Sequence, residues 1–160
     1  MSKILLVLLA ALSLSLPAAA QANKFVGAWK LVEVKITGEK PETITSFQPN
    51  LHIYTKKHYS TMVVTAKEPR PVPEDPAKLS AEDLLKIYVK DFVANSGTYE
   101  VKGDRITIRP IVAKGPGFMQ PGNFVTSVFK IEGNYLTMTG EADKDGPIKN
   151  PMTVKLERIE

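Results

Sequence analysis

Short runs in which apolar and polar residues alternate recur along most of this chain, separated by turn-forming residues. The first runs from Ala28 to Ile36. Asn50 to Thr55 and His58 to Thr65 follow, joined across Lys56-Lys57. Gly97 to Lys102 and Arg105 to Val112 hinge at Gly103-Asp104. Asn123 to Ile131 and Tyr135 to Thr139 meet across Glu132-Gly133-Asn134, and Met152 to Ile159 comes last. These runs are rich in Val, Ile, Thr, Tyr and Phe, which suit a pleated, half-buried surface. They predict eight antiparallel strands. Strands joined by hairpins leave two sheet edges to hide, and closure hides both. The expected fold is therefore all-β, an eight-stranded antiparallel up-and-down barrel, in preference to a sandwich with longer connections between sheets.

One stretch breaks the rhythm. Lys67 to Pro76 carries four prolines and reads as an extended loop. From Leu79 to Asn95 the apolar residues Leu84, Leu85, Tyr88 and Phe92 switch to helical spacing. Ser80 followed by Asp83 suits a helix start, and Asn95-Ser96-Gly97 suits its stop. One helix is thus expected between strands three and four, packed on the outer wall or over the barrel mouth.

The beginning of the chain has a different character. Met1-Ser2-Lys3 is basic, Ile4 to Leu16 is almost wholly apolar, and Pro17 to Ala22 offers small residues for cleavage. Residues 1–20 are expected to be a secretory signal peptide, and residues 21–160 the barrel domain. The apolar run is too short to span a bilayer comfortably. The expected location is secreted or periplasmic, with no membrane span after cleavage. Removing Lys3 lowers the net charge from +4 to +3, and no five like charges follow one another. Nucleic acid is therefore not an expected partner. There is no cysteine, so the fold must rest on core packing and not on disulfides.

Strand parity nominates the interior. Trp29, Leu31, Glu33 and Lys35 share one face of the first strand, and Val154, Leu156 and Arg158 one face of the last. If these strands are neighbours in a closed barrel, Arg158 can lie on Trp29 as a cation–π plug at one end. Glu33 then faces inward, where it meets the polar end of a ligand or the solvated rim. His52 and Tyr54 share one face of strand two, and inward placement would make them hydrogen-bonding groups in an apolar cup. Tyr59 and Thr61 on strand three and Tyr99 on strand four are further inward candidates. Arg105 and Arg109 sit opposite Ile106 and Ile108, hence outside. Phe118 and Met119 lie in a Gly-Pro-rich stretch and are candidates for a lid.

Motifs for catalysis are missing. The sequence has no Gly-x-Ser-x-Gly elbow, phosphate loop or dinucleotide fingerprint, and its two histidines lack zinc-site spacing. No metal and no cofactor are expected. An acid–base pair inside the barrel, such as Glu33 with His52 or Tyr99, could act on a bound apolar substrate.

Gly27-x-Trp29 at the start of the first strand, with Arg158 in the last, resembles the lipocalins. Further stretches resemble the bacterial lipocalin-like domain. They are Phe25-Val26-Gly27-Ala28-Trp29-Lys30-Leu31-Val32, Ile53-Tyr54-Thr55, Tyr59-Ser60-Thr61-Met62 with Arg70-Pro71, Asn95-Ser96-Gly97-Thr98-Tyr99-Glu100-Val101, and Ile111-Val112-Ala113-Lys114. The Thr-Asp-Tyr motif and the disulfide of the larger secreted lipocalins are absent. The resemblance implies a small barrel with room for an apolar molecule, and it names no ligand. The leading expectation is a binder of a small apolar or amphipathic molecule. A structural or interaction module with a filled barrel is the alternative, and an enzyme is the weaker one.

Overall fold

A computed structural model of the chain describes residues 24–160. The expected leader, residues 1–20, lies outside the described residues. The strands are β1 (Gly27–Ile36), β2 (Glu42–Ile44), β3 (Asn50–Tyr54), β4 (His58–Val64), β5 (Phe92–Lys102), β6 (Arg105–Ala113), β7 (Val125–Glu132), β8 (Tyr135–Asp143), β9 (Gly146–Pro147) and β10 (Met152–Arg158). All pairings are antiparallel. The short β2 and β9 flank β1 and β8, while the other eight strands follow one another round a ring that β10 closes by pairing with both β8 and β1. The expected closed eight-stranded barrel is therefore the observed fold.

The two ends of the barrel differ. Short hairpins after β3, β5 and β7 lie at one end, together with the start of β1 and the finish of β10. The long connections 65–91, 114–124 and 144–151 lie at the other end, the mouth. Helical structure falls in the first of these, at the predicted place between the third and fourth ring strands, but it is shorter than expected. One α-helical turn, α1 (Ala81–Leu84), passes into a wider coil at Leu85–Lys90, where Asp91 N–H donates to the Lys86 carbonyl. Ser80 caps it as predicted, its hydroxyl accepting from Asp83 N–H at 3.1 Å. Asn95-Ser96-Gly97 does not end a helix, because β5 already starts at Phe92. Pairing of residues 92–98 with β4 aligns seven successive positions in one ladder, which outweighs a local helical pattern.

The core is continuous. Phe25, Trp29, Ile106, Leu136 and Leu156 are fully buried, and Leu31, Val34, Tyr54, Tyr59, Val63, Tyr99 and Val101 pack with them. Each large apolar side chain buried here contributes about 1.5–3 kcal/mol against exposure. Arg105 and Arg109 are outside, in ion pairs with Glu141 and Glu100.

β1 departs from simple alternation. Leu31 pairs with Leu156 and Glu33 with Lys155, so two steps along β1 match one along β10, and Val32 is the extra residue of a β-bulge. Beyond it the inward set is Val34 and Ile36. This corrects the parity reading of Glu33 and Lys35. Both lie on the outer face, where they form an ion pair at 3.1 Å. One extra residue moves every later side chain to the other face.

Candidate functional site

The inner wall begins at the hairpin end. Arg158 pairs with Trp29, and its guanidinium lies 3.9 Å from the centroid of the Trp29 ring. Its two terminal nitrogens donate to the carbonyls of Val26 at 2.6 Å and Lys24 at 2.5 Å. Arg158 thus straps the segment that leads into β1 across the barrel end. Gly27 must be glycine there: its φ is +139°, and a Cβ would come within 2.3 Å of the Glu160 carbonyl oxygen. Trp29 Nε1 donates to Phe25 O at 2.8 Å. Phe25 in turn lies among aromatic rings, 4.7 Å from Phe129, 5.5 Å from Tyr54 and 5.8 Å from Tyr99. Phe25 was not picked out by parity, because it precedes the strand. Its sequence signals are a large aromatic placed four positions before Trp29 and its place at the start of the Phe25-to-Val32 stretch that carries the family resemblance.

Above this aromatic end runs a polar row. Register aligns Trp29 with His52, His52 with Thr61, and Thr61 with Asn95. One pair nearer the closed end, Tyr54 faces Tyr59. Cross-strand partners project to the same side of a sheet, so these residues share the inner wall with Trp29. His52, Tyr54 and Tyr59 are all buried. The structure brings His52, Tyr54, Tyr59, Thr61 and Tyr99 together on β3, β4 and β5, and it separates Glu33 from them. That leaves Glu33 unable to serve as the acid or base partner of His52 or Tyr99.

The hydrogen bonds of this wall are incomplete. Tyr99 donates to the Thr55 carbonyl at 2.6 Å. The Tyr54 hydroxyl meets Met138 Sδ at 4.0 Å, a weak contact. His52 Nδ1 and the Thr61 hydroxyl are 3.2 Å apart. His52 Nε2 and the Tyr59 hydroxyl are buried with no partner among the described residues. A buried polar atom left unpaired costs about 1–3 kcal/mol.

Burial decides the charge states. It pushes the Tyr59 hydroxyl up to about 12 and raises Tyr54 and Tyr99 as well. It lowers His52 to about 4. At neutral pH the row is therefore uncharged. The lowered His52 value makes stability depend on acid. An unfolded histidine takes up a proton near 6.5, whereas the buried one does so only near 4. The contribution of His52 is therefore undiminished above pH 6.5 and is lost as the pH drops from about 6.5 to about 4. The loss then levels off at about 3 kcal/mol from this residue. Urea unfolding at neutral and acid pH should show a steeper acid loss in the wild type than in His52→Gln. Parallel acid losses in the two proteins would refute this assignment.

Two openings lie on or in the wall. β1 pairs with β3 up to Trp29 and with β2 from Val34, which leaves a gap between. Asn50 spans it like a backbone unit, accepting from Leu31 N–H at 2.6 Å and donating to Leu31 O at 3.4 Å. Beside it is a cleft of about 610 Å³ lined by Lys30, Leu31, Val32, Thr45, Phe47 and Asn50, among others. A second, apolar groove of about 260 Å³ lies along Leu51, Met62, Val64 and Phe92. Register pairs Leu51 with Met62 and Val64 with Phe92, on the face opposite His52 and Tyr54.

At the mouth, Ile87 is the buried residue of the helical segment, and Leu85, Tyr88 and Val89 are exposed. Arg70 ties the segment down by donating to the Ile87 carbonyl at 3.4 Å and lying over the Phe92 ring at 5.1 Å. Lys114 donates to the carbonyls of Val89 and Phe92. Phe118 and Met119 fall in a 3₁₀ turn, Pro116–Met119, and are about half exposed. Among the described residues no group of three or more metal-binding side chains is found, and no helix is long and apolar enough to cross a membrane.

The match to a family model agrees with the architecture. The family model described as "Lipocalin-like domain" matches residues 26–144. A search of curated proteins finds no significant match. Among solved structures, the chain is similar to an uncharacterized protein from Bacteroides eggerthii DSM 20697, with 11% identity, a TM-score of 0.44, and coverage of 83% of this chain and 98% of that one.

Proposed function

This chain belongs to the lipocalin-like domain family, and from that premise we propose that it binds one small apolar or amphipathic molecule inside the barrel, as a secreted or periplasmic carrier. The observation that carries this reading is the unfinished polar row. His52 Nε2 and the Tyr59 hydroxyl are buried on the inner wall with no partner among the described residues. A barrel that served only as a filled scaffold would be expected to place apolar side chains there, because unpaired polar atoms cost stability. The buried interior sets the apolar side chains of Leu31, Val34, Val63 and Val154 beside these few polar atoms, a mix of apolar and sparse polar groups that small-molecule sites share.

The test is saturable uptake of a neutral fluorescent apolar probe, N-phenylnaphthylamine, by the purified protein, with native mass spectrometry alongside. The expected result is one probe per chain, displaced by unlabelled apolar molecules. Absence of saturable uptake together with an unliganded mass would overturn the carrier reading and favour an interaction module. Secretion is tested separately by fractionation and N-terminal sequencing. A mature protein that starts after Ala20 or Ala22 supports it, and retention of Met1 refutes it.

A further inference from the structure

Resting on the carrier reading, we infer that the ligand presents an uncharged oxygen, a carbonyl, ester or hydroxyl, to His52 Nε2 and the Tyr59 hydroxyl on the wall formed by β3 and β4. The argument starts from register. His52 pairs with Thr61 and Tyr54 with Tyr59, so His52 and Tyr59 are diagonal neighbours on one face. Diagonal positions lie roughly 7–8 Å apart, within reach of one another's long side chains, so a single ligand oxygen can be shared between the two.

Both atoms are buried and have no partner among the described residues. The Tyr59 hydroxyl can donate. His52 Nδ1 is engaged with the Thr61 hydroxyl at 3.2 Å. When Thr61 donates to Nδ1, Nε2 carries the proton and becomes a second donor. Two neutral donors on one apolar wall suit an oxygen acceptor. They do not suit an anion. Arg158 is engaged on two backbone carbonyls at the hairpin end and Lys114 on two at the mouth, while Lys35 pairs with Glu33 on the outer face. A carboxylate buried between His52 and Tyr59 would lose its hydration with none of these three cations to replace it. A pure hydrocarbon would leave both donors unpaired. The chemistry in between, an apolar body with one neutral oxygen, is what the wall is built to receive.

The test compares three molecules of matched chain length, methyl dodecanoate, dodecanoate and dodecane, as competitors of N-phenylnaphthylamine. The ester should displace the probe at least about tenfold more effectively than either of the others, the size of one well-placed buried hydrogen bond. In Tyr59→Phe the ester's advantage over dodecane should shrink to about threefold or less, with dodecane itself unchanged. The free Tyr59→Phe protein should melt no lower than the wild type, since the hydroxyl it loses has no partner. His52→Gln provides an independent second variant, in which the ester's advantage should also shrink. If ester and alkane compete equally in the wild type, or if Tyr59→Phe keeps the full ester advantage, an ordered water occupies these atoms and the inference fails while the carrier reading stands. Tightest binding of dodecanoate, or a clear loss of stability in free Tyr59→Phe, also overturns it. If neither the probe nor any of the three binds, the carrier reading itself has failed.

Discussion

Phe25→Ala should destabilise the protein by about 3–5 kcal/mol, as expected for truncating a fully buried aromatic residue. Phe25 lies outside any strand, yet it is fully buried, and its ring touches three others on β3, β5 and β7. Its carbonyl also accepts the only hydrogen bond described for the Trp29 indole. The deletion therefore opens a void where side chains from three strands converge, and the surrounding rings cannot collapse into it without leaving their own strands. A domain of this size has roughly 5–15 kcal/mol in total, so the variant should lose a large share of its stability. Its melting temperature should fall by roughly 6–20 °C. Phe25→Leu, which refills much of the volume, should lose less than half as much. A fall below about 1 kcal/mol in Phe25→Ala, measured by urea unfolding, would show that the barrel end is closed by the strap from Arg158 and not by the ring.

Gly97→Ala should cost about 3 kcal/mol or more, although alanine is the smallest possible change. A Cβ at Gly97 would stand 2.0 Å from the Arg109 carbonyl oxygen and 2.8 Å from its carbon, both backbone atoms of β6. The β5–β6 register shifts between Ser96 and Gly97, where Ile111 is the extra residue of a bulge. The two chains approach too closely there for any side chain. Relief requires the backbone of one strand to move, which disturbs the pairings of Tyr59 with Gly97 and of Gly97 with Pro110. Because Tyr59 lies in the proposed ligand wall, Gly97→Ala should also weaken probe uptake. Gly103→Ala is the matched control. Gly103 has a φ of +62° but nothing within 4 Å of its would-be Cβ, so its cost is the turn strain alone, about 1–2 kcal/mol. Equal losses in the two variants would mean that β5 and β6 separate readily at the bulge.

Much of this protein was legible in the chain. Alternation and turn residues specified the ring strands, because period-two burial and hairpin chemistry are local properties. Their number and hairpin order also implied closure. The contact of Arg158 with Trp29 followed once closure was granted, since closure makes the first and last strands neighbours. Parity grouped His52 with Tyr54, but whether that pair faced inward was undecidable, since Leu51 and Ile53 made an equally credible inner face.

The tertiary structure decided the remainder. A bulge at Val32 turned Glu33 outward, and no local feature of Leu31-Val32-Glu33-Val34 announces it, because a bulge arises from the fit between two strands. β5 took Phe92 to Ser96 from a helical pattern, since pairing with β4 supplies backbone hydrogen bonds that only the folded sheet can offer. Phe25 became part of the core because the segment before β1 crosses the barrel end, a path that depends on where Arg158 sits. Sequence by itself thus determined the eight ring strands, their order and their closure, but not the short flanking strands β2 and β9. Only the assembled barrel decided which faces turn inward past each bulge, and so which polar atoms are left buried without partners.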